Sequence, residues 1–412
     1  MVNKSILSIF IIAVLILASC SGMDENSNKK EVTGTFTEND YKNQSVPSVK
    51  LARELSRRAE PNDGGNVFVS PVSLFMALSM LQNGAEGETR KEIITAIQAE
   101  DMSPDELNQA NASLLDHLQN LETDTVITIA NSVWLNDEHT LQTEFKNLLH
   151  DYYLAVAEEI DISKSKSADL INKWASESTN GKIDKIVEPP LPDNLVMYLM
   201  NVVYFKAAWM YPFSTGATAG GVFHLKDGTE TTVPFMNLQE SVPYFENDEF
   251  QAVSLPYGEG EMAMDIYVPR ESVELDTFMD SWTAVNHAAW IGEFEERQGT
   301  VMIPKFKIEY EVILNDLLSD LGMQRAFTDQ AELGKLVAED SPLLVSEVKQ
   351  KTYLSVDENG TEAAAVTSVA VSETSAPAET FVLRADRPFF LTIRDTESDT
   401  ILFAGKIINP VQ

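Results

Sequence analysis

The sequence predicts an α+β fold. Capped, amphipathic stretches dominate the first half of the chain, and β-branched or alternating stretches dominate the second. Past about residue 45 there is no internal repeat and no linker, which leaves one domain over 46–412. In chain order, Val49–Ala59 reads as a helix. Ser70-Pro71 sets the next helix start, with Leu74, Ala77, Leu78 and Leu81 on one face and a stop at Asn83-Gly84. Val126–Leu135 is β-branched and bounded by polar residues, so it predicts a strand. Thr143–Tyr153 is an amphipathic helix, and Asp169–Thr179 is another, with Gly181 just beyond its end. Leu195–Trp209 carries only Asn201 and Lys206 as strongly polar residues. It is too short to cross a bilayer and reads as a central strand covered on both faces. Strands follow near Glu261–Val268 and Thr300–Tyr310, and a last hairpin joins Phe389–Arg394 to Ile401–Ile408.

Composition narrows the function. Hydrophobic residues make up 44% of 412, enough for a sizeable core. Lys+Arg 30 against Asp+Glu 64 leaves a formal charge of −34. That sign argues against nucleic acid or an anionic membrane surface as a partner and reads as a soluble, self-repelling surface. One cysteine, Cys20, excludes a disulfide scaffold. None of the five histidines has H-E-x-x-H spacing, and there is no G-x-S-x-G elbow or G-x-x-x-x-G-K-[ST] loop. Gly258, Gly260 and Ala263 fit G-x-G-x-x-A, but they lead into a strand pattern, so a hairpin turn is the reading. No enzyme, cofactor or metal is expected.

The N-terminus carries targeting information. Lys4 precedes an apolar run, Ile6–Leu17, and Leu17-Ala18-Ser19-Cys20 follows. This matches a signal peptide over 1–19, and its ending resembles a bacterial lipobox, which implies a lipidated Cys20. A plain secretory signal with an incidental cysteine is the other reading. The polar segment 20–45 reads as a flexible tether. The expected location is a bacterial outer membrane or cell surface, held only by the lipid, or the extracellular space.

The segment Asp357–Thr380 is unlike ordinary fold: it has four Glu, no aromatic residue and no Lys or Arg. Phe381–Pro410 is too small to fold alone, so the segment is an exposed loop within one domain. It also alternates, with Thr361, Ala363, Ala365, Thr367, Val369 and Val371 on one face. Such a loop is able to become a strand.

Glu358-Asn359-Gly360-Thr361-Glu362-Ala363-Ala364-Ala365 resembles the hinge of a serpin reactive loop. The resemblance runs in order from about 48 to 410. It includes Asn66 to Ser73, Ile171 to Trp174 with Thr179 to Ile183, Asn201 to Lys206 with Trp209, Leu255-Pro256-Tyr257, Pro304-Lys305-Phe306 and Gly405 to Pro410. It implies a large, mostly antiparallel central sheet, smaller sheets, about eight to nine helices and a reactive-centre loop over about 357–381. It further implies a monomeric suicide inhibitor. A target protease forms an acyl-enzyme on the loop, and the cut loop inserts into the main sheet before deacylation. Ser70, Ser73 and Asn201 match the family's polar cluster where the central strands part, with Gln350 where a histidine is frequent. Lys305, Glu358 and Trp209 match the site where insertion begins.

Counting along the family's loop puts the scissile bond at Thr374-Ser375, with Val371-Ser372 and Ala376-Pro377 open as alternatives. No Lys or Arg lies between Lys351 and Arg384, and no aromatic between Tyr353 and Phe381. Trypsin-like and chymotrypsin-like targets are therefore disfavoured. An elastase-like or subtilisin-like serine protease is expected, with a cysteine protease as a further candidate. Two other readings stay open: a non-inhibitory carrier of the same family, and a hydrolase with an unrecognised site.

Overall fold

Helices and two sheets account for most of the chain, and the computed structural model describes residues 31–121, 125–339, 342–361 and 380–411. Cys20, the hinge residues Glu362, Ala363, Ala364 and Ala365, and the candidate scissile pairs Thr374-Ser375, Val371-Ser372 and Ala376-Pro377 lie outside the described residues. Val32–Gln412 clusters as one unit.

The tether predicted over 20–45 is corrected in its last half. The N–H groups of Thr33 and Gly34 both donate to Asp151 O at 3.0 Å. Gly34 lies so close to Tyr152 that a Cβ there would come within 2.6 Å of the ring. Tyr41, in a 3₁₀ turn over Asp40–Gln44, is buried and stacks on His117 at 4.4 Å. Polar composition hid this because the attachment uses backbone donors, one aromatic ring and the polar side chains themselves: Thr33 on Asp151, Lys42 on Glu397 and Gln44 on Asn111.

Helix α1 spans Ser45–Arg58, with Pro47 in its first turn, where a missing N–H is tolerated. Strand β1 (Val67–Val69) leads through Ser70 into α2 (Pro71–Gly84), which is buried almost all round. α3 is Gly87–Ala96, and α4 (Pro104–Gln119) opens on a capping box between Ser103 and Glu106. β2 (Val126–Asn136), α5 (Thr143–Tyr153), β3 (Val156–Ile160) and α6 (Ser165–Ser178) follow. The central strand is β4, Met197–Ala208. β5 (Ala219–His224), β6 (Glu230–Glu246), β7 (Phe250–Tyr257) and β8 (Met262–Pro269) form a meander. Gly258 and Gly260 make its last turn at positive φ, so the G-x-G stretch is the predicted hairpin. α7 (Leu275–Ser281) and α8 (Ala284–Ile291) precede β9 (Glu295–Pro304) and β10 (Phe306–Ile313). The single strand expected over Thr300–Tyr310 is thus two strands in different sheets. The alternation runs through the break because each strand has its own buried face. α9 (Asn315–Asp320), β11 (Glu347–Asp357), β12 (Gly360–Thr361), β13 (Phe381–Arg384), β14 (Phe389–Asp395) and β15 (Ile401–Ile407) complete the chain.

One sheet has nine strands, in the order β1-β15-β14-β8-β7-β6-β9-β13 with β5 beside β6. The other has the order β10-β11-β12-β4-β2-β3 and positions the site. One face of this second sheet packs on α2. Its other face is covered by α6 and the segment after it, where Ile171, Ala175, Ile183 and Ile186 meet Trp134, Met200 and Val202. Burying each large aliphatic side chain there contributes about 1.5–3 kcal/mol. No helix among the described residues is long and apolar enough to cross a membrane.

A buried histidine makes the fold acid-sensitive. His287 on α8 packs edge-on against Trp282, and burial lowers its pKa to about 4. A histidine with a depressed folded pKa favours the fold fully above its unfolded value near 6.5, and this contribution is lost as pH falls toward 4. The expected loss over that window is about 3 kcal/mol. Urea melts at pH 7 and 4.5 are expected to show a smaller pH dependence in His287→Leu than in the parent.

Candidate functional site

The site is a fork in the six-stranded sheet. Along its lower part β11 and β4 pair directly and in parallel, from Glu347 opposite Tyr198 to Tyr353 opposite Tyr204. Higher up they part, and β12 lies between them, antiparallel to both. Thr361 pairs with Val356 and Ala207, and Gly360 with Asp357 and Ala208. The chain leaves this wedge after Thr361 and is next described at Thr380, before β13, which pairs in parallel with β9 of the other sheet. The strands that flank segment 362–379 therefore belong to two different sheets.

Residues at the top of the fork hold the wedge. The Lys305 ammonium sits 2.8 Å from Glu358, and the Thr218 hydroxyl donates to the other carboxylate oxygen at 2.8 Å. Burial raises the Glu358 pKa, but the Lys305 and Thr218 hydrogen bonds outweigh it and hold the carboxyl below its usual value. The Trp209 indole N–H donates to Asp357 O at 3.0 Å, and its backbone N–H to Asn359 O at 2.9 Å. Its ring stacks on Tyr257 at 4.3 Å, and the Tyr257 hydroxyl bonds Thr361 at 2.8 Å. Lys305, Glu358 and Trp209 were expected together and are together. Tyr257 and Thr218 were not assigned to this site from sequence.

Gly360 is required by geometry. Its φ is +149°, and a Cβ there would lie 2.1 Å from Ala207 O. Backbone cannot give way as a side-chain tip can, so Gly360→Val is expected to expel β12 and cost at least about 2 kcal/mol. Loss of the Asp357 and Asn359 contacts would then appear as a changed Trp209 fluorescence spectrum at unchanged helix content.

Below the wedge, a buried polar cluster ties the two strands to α2. Gln350 accepts from Ser70 N–H and donates to Ser70 O, both at 2.9 Å, and donates to Asn201 Oδ1 at 3.0 Å. Asn201 Nδ2 donates to Asn131 Oδ1 at 2.7 Å and reaches Ser73 O at 3.5 Å. Ser70, Ser73, Asn201 and Gln350 are brought together here. The two serines act through their backbone groups, and their hydroxyls have no partner among the described residues. Asn131 went unnoticed, although a buried amide within an otherwise apolar strand was the available signal. Because Gln350 does not titrate, this closure does not depend on pH.

The outer face of the seam carries a clasp. Lys349 Nζ donates to Ile186 O at 3.0 Å and Lys351 Nζ to Lys185 O at 2.8 Å, both from β11 to the segment after α6. Glu311 and Glu347 flank Lys349 at 3.3 and 3.2 Å, and Glu309 and Glu311 flank Lys351 at 3.0 and 3.4 Å. Asn172 of α6 fixes the same segment by accepting from Ile186 and Val187 N–H. Since that segment also packs on β4, it straddles the β4–β11 seam.

Comparison with known proteins agrees with this geometry. The family profile described as Serpin (serine protease inhibitor) matches residues 43–410. Serine protease inhibitor 42Dd of Drosophila melanogaster is 32% identical over 349 residues, covering 84% of this chain and 91% of that one. The native-state structure of tengpin, a thermophilic serpin, superposes with a TM-score of 0.82 at 30% identity, over 91% of this chain and 95% of that one. Human thyroxine-binding globulin, solved with thyroxine, gives 0.82 at 25% identity, over 90% and 100%. A forked sheet with a two-residue wedge, a hinge glycine and the matched profile have one joint meaning: the chain belongs to the serpin family.

Proposed function

We propose that this serpin traps a serine protease as an acyl-enzyme by inserting the cut segment 362–379 into the six-stranded sheet. The observation that carries the reading is the register of β12. Continued downward, it brings residue 370 opposite both Tyr198 and Glu347, which are themselves paired at the foot of the seam. Both walls of the slot are therefore in step with one incoming strand. In that register Ala363, Ala365, Thr367 and Val369 face α2, opposite Leu354, Thr352, Gln350 and Val348. Small or apolar residues occupy every buried place. Insertion exchanges one parallel ladder for two antiparallel ones, the better-bonded arrangement.

Small side chains near Thr374-Ser375 and Val371-Ser372 suit an elastase-like or subtilisin-like pocket. A non-inhibitory binding or carrier role predicts no dependence on loop cleavage; thyroxine-binding globulin is a relative named for its binding of thyroxine. Cys20 is the proposed lipid attachment point, and Cys20→Ser would release the protein from the membrane fraction. The deciding experiment mixes the full chain with an elastase-type and a subtilisin-type protease on a denaturing gel, with mass spectrometry of the cut. A covalent band with cleavage at one of the named bonds supports the reading. Cleavage with no band from any protease tested, and no gain in stability, overturns it.

A further inference from the structure

We propose that the cleft between the C-terminal end of α1, the β5–β6 turn and α7 binds a compact organic anion with two or more charges, such as a phosphate ester or a tricarboxylate. The cleft holds about 660 Å³. The whole chain carries −34, yet Arg57, Arg58, Lys226 and Lys406 converge here against three carboxylates, Glu60, Asp276 and Asp280. Pairing among them is uneven. Arg57 bonds Asp280, and Arg58 turns to Glu54 at 2.8 Å. Asp276 alone serves two ammonium groups, Lys226 at 2.7 Å and Lys406 at a loose 3.6 Å.

Lys406 is the deep one, its side chain 14% exposed. It stands on β15 opposite Val67 of β1, so a rigid strand pair fixes its base. Burial lowers its pKa and Asp276 only partly restores it, while Lys226 and Arg57 add repulsion. A partly buried ammonium that shares half a carboxylate gains from a second anion. Met279, Val67 and Ile408 supply apolar wall for a carbon skeleton. A long polyanion fits less well, because outside the cleft it meets a strongly negative surface.

The test uses calorimetry and thermal melts of the full chain with inorganic phosphate and with citrate, at ionic strength matched by NaCl. Saturable binding is expected, weakened about tenfold or more by Lys406→Met and by Lys226→Met. Asp276→Asn is expected to tighten binding, because it removes the competing carboxylate. A merely structural Asp276 would lower the unliganded midpoint without raising affinity. If Lys406→Met does not fold, the exposed Lys226→Met together with Asp276→Asn decides. No binding beyond the salt control, affinity unchanged in the lysine variants, or tighter binding of a sulfated polysaccharide through the same residues would overturn the proposal.

Discussion

Cleavage anywhere between residues 371 and 377 is expected to raise the melting midpoint by at least about 10 °C, and Ala365→Glu is expected to abolish the rise. At roughly 1.2 °C per kcal/mol for a chain this long, the rise needs about 8 kcal/mol of added stability. The seam supplies room for it. Seven parallel pairs between β11 and β4 are exchanged for two antiparallel ladders along the same strands, and each new hydrogen bond contributes about 1 kcal/mol net. In the proposed register Ala365 sits opposite Thr352, which is fully buried and bonded to Phe68 O at 2.6 Å. A carboxylate there would be buried without a cation, at a cost of several kcal/mol. The variant should therefore be cut as fast as the parent, form no covalent complex and melt where the intact protein melts. Differential scanning calorimetry before and after proteolysis reads all of this. A rise in the variant equal to the parent's would exclude the register.

The second large effect concerns the clasp. Replacing Lys349 and Lys351 together by Met removes two charge-assisted hydrogen bonds to the segment after α6, each worth about 1.5–3 kcal/mol. It also leaves Glu309, Glu311 and Glu347 without these cations. Both changes destabilise the closed seam more than the opened one. Insertion after cleavage is expected to accelerate by one to two orders of magnitude, and the intact protein to lose inhibitory capacity on mild warming. Stopped-flow measurement with a fluorophore near the cut would give the rate. An unchanged rate would mean that the clasp opens after the committing step.

Much of this site was legible in the sequence, for identifiable reasons. Glu358 to Ala365 resembles the family's hinge, and Gly360 within it sits where a Cβ would meet Ala207 O. β4 stood out because Asn201 and Lys206 are nearly its only polar residues. Other parts were concealed. α4 buries Asn108, Asn111 and Ser113, so its apolar period is broken and the helix was not read from the sequence. β11 carries Lys349 and Lys351 at alternate positions, which hides a buried strand because their partners, two backbone carbonyls and three carboxylates, lie mostly on other segments. Docking of residues 33–34 rests on two main-chain donors and the Thr33 hydroxyl, all bonded to Asp151, and the main-chain share is invisible to a reading by side-chain type.

The position of β12 has a mechanical consequence. It stands at one end of the β4–β11 ladder, so a force delivered through it falls on the Tyr353–Tyr204 rung before any other. Rungs then yield in succession, as in peeling, and the peak load is that of one pair while the travel is about 34 Å for a ten-residue advance. A force directed along the strands would load all seven pairs together. The sheet is thus compliant to a wedge driven down the fork and stiff to shear, so the proposed insertion would proceed by threading and not by tearing.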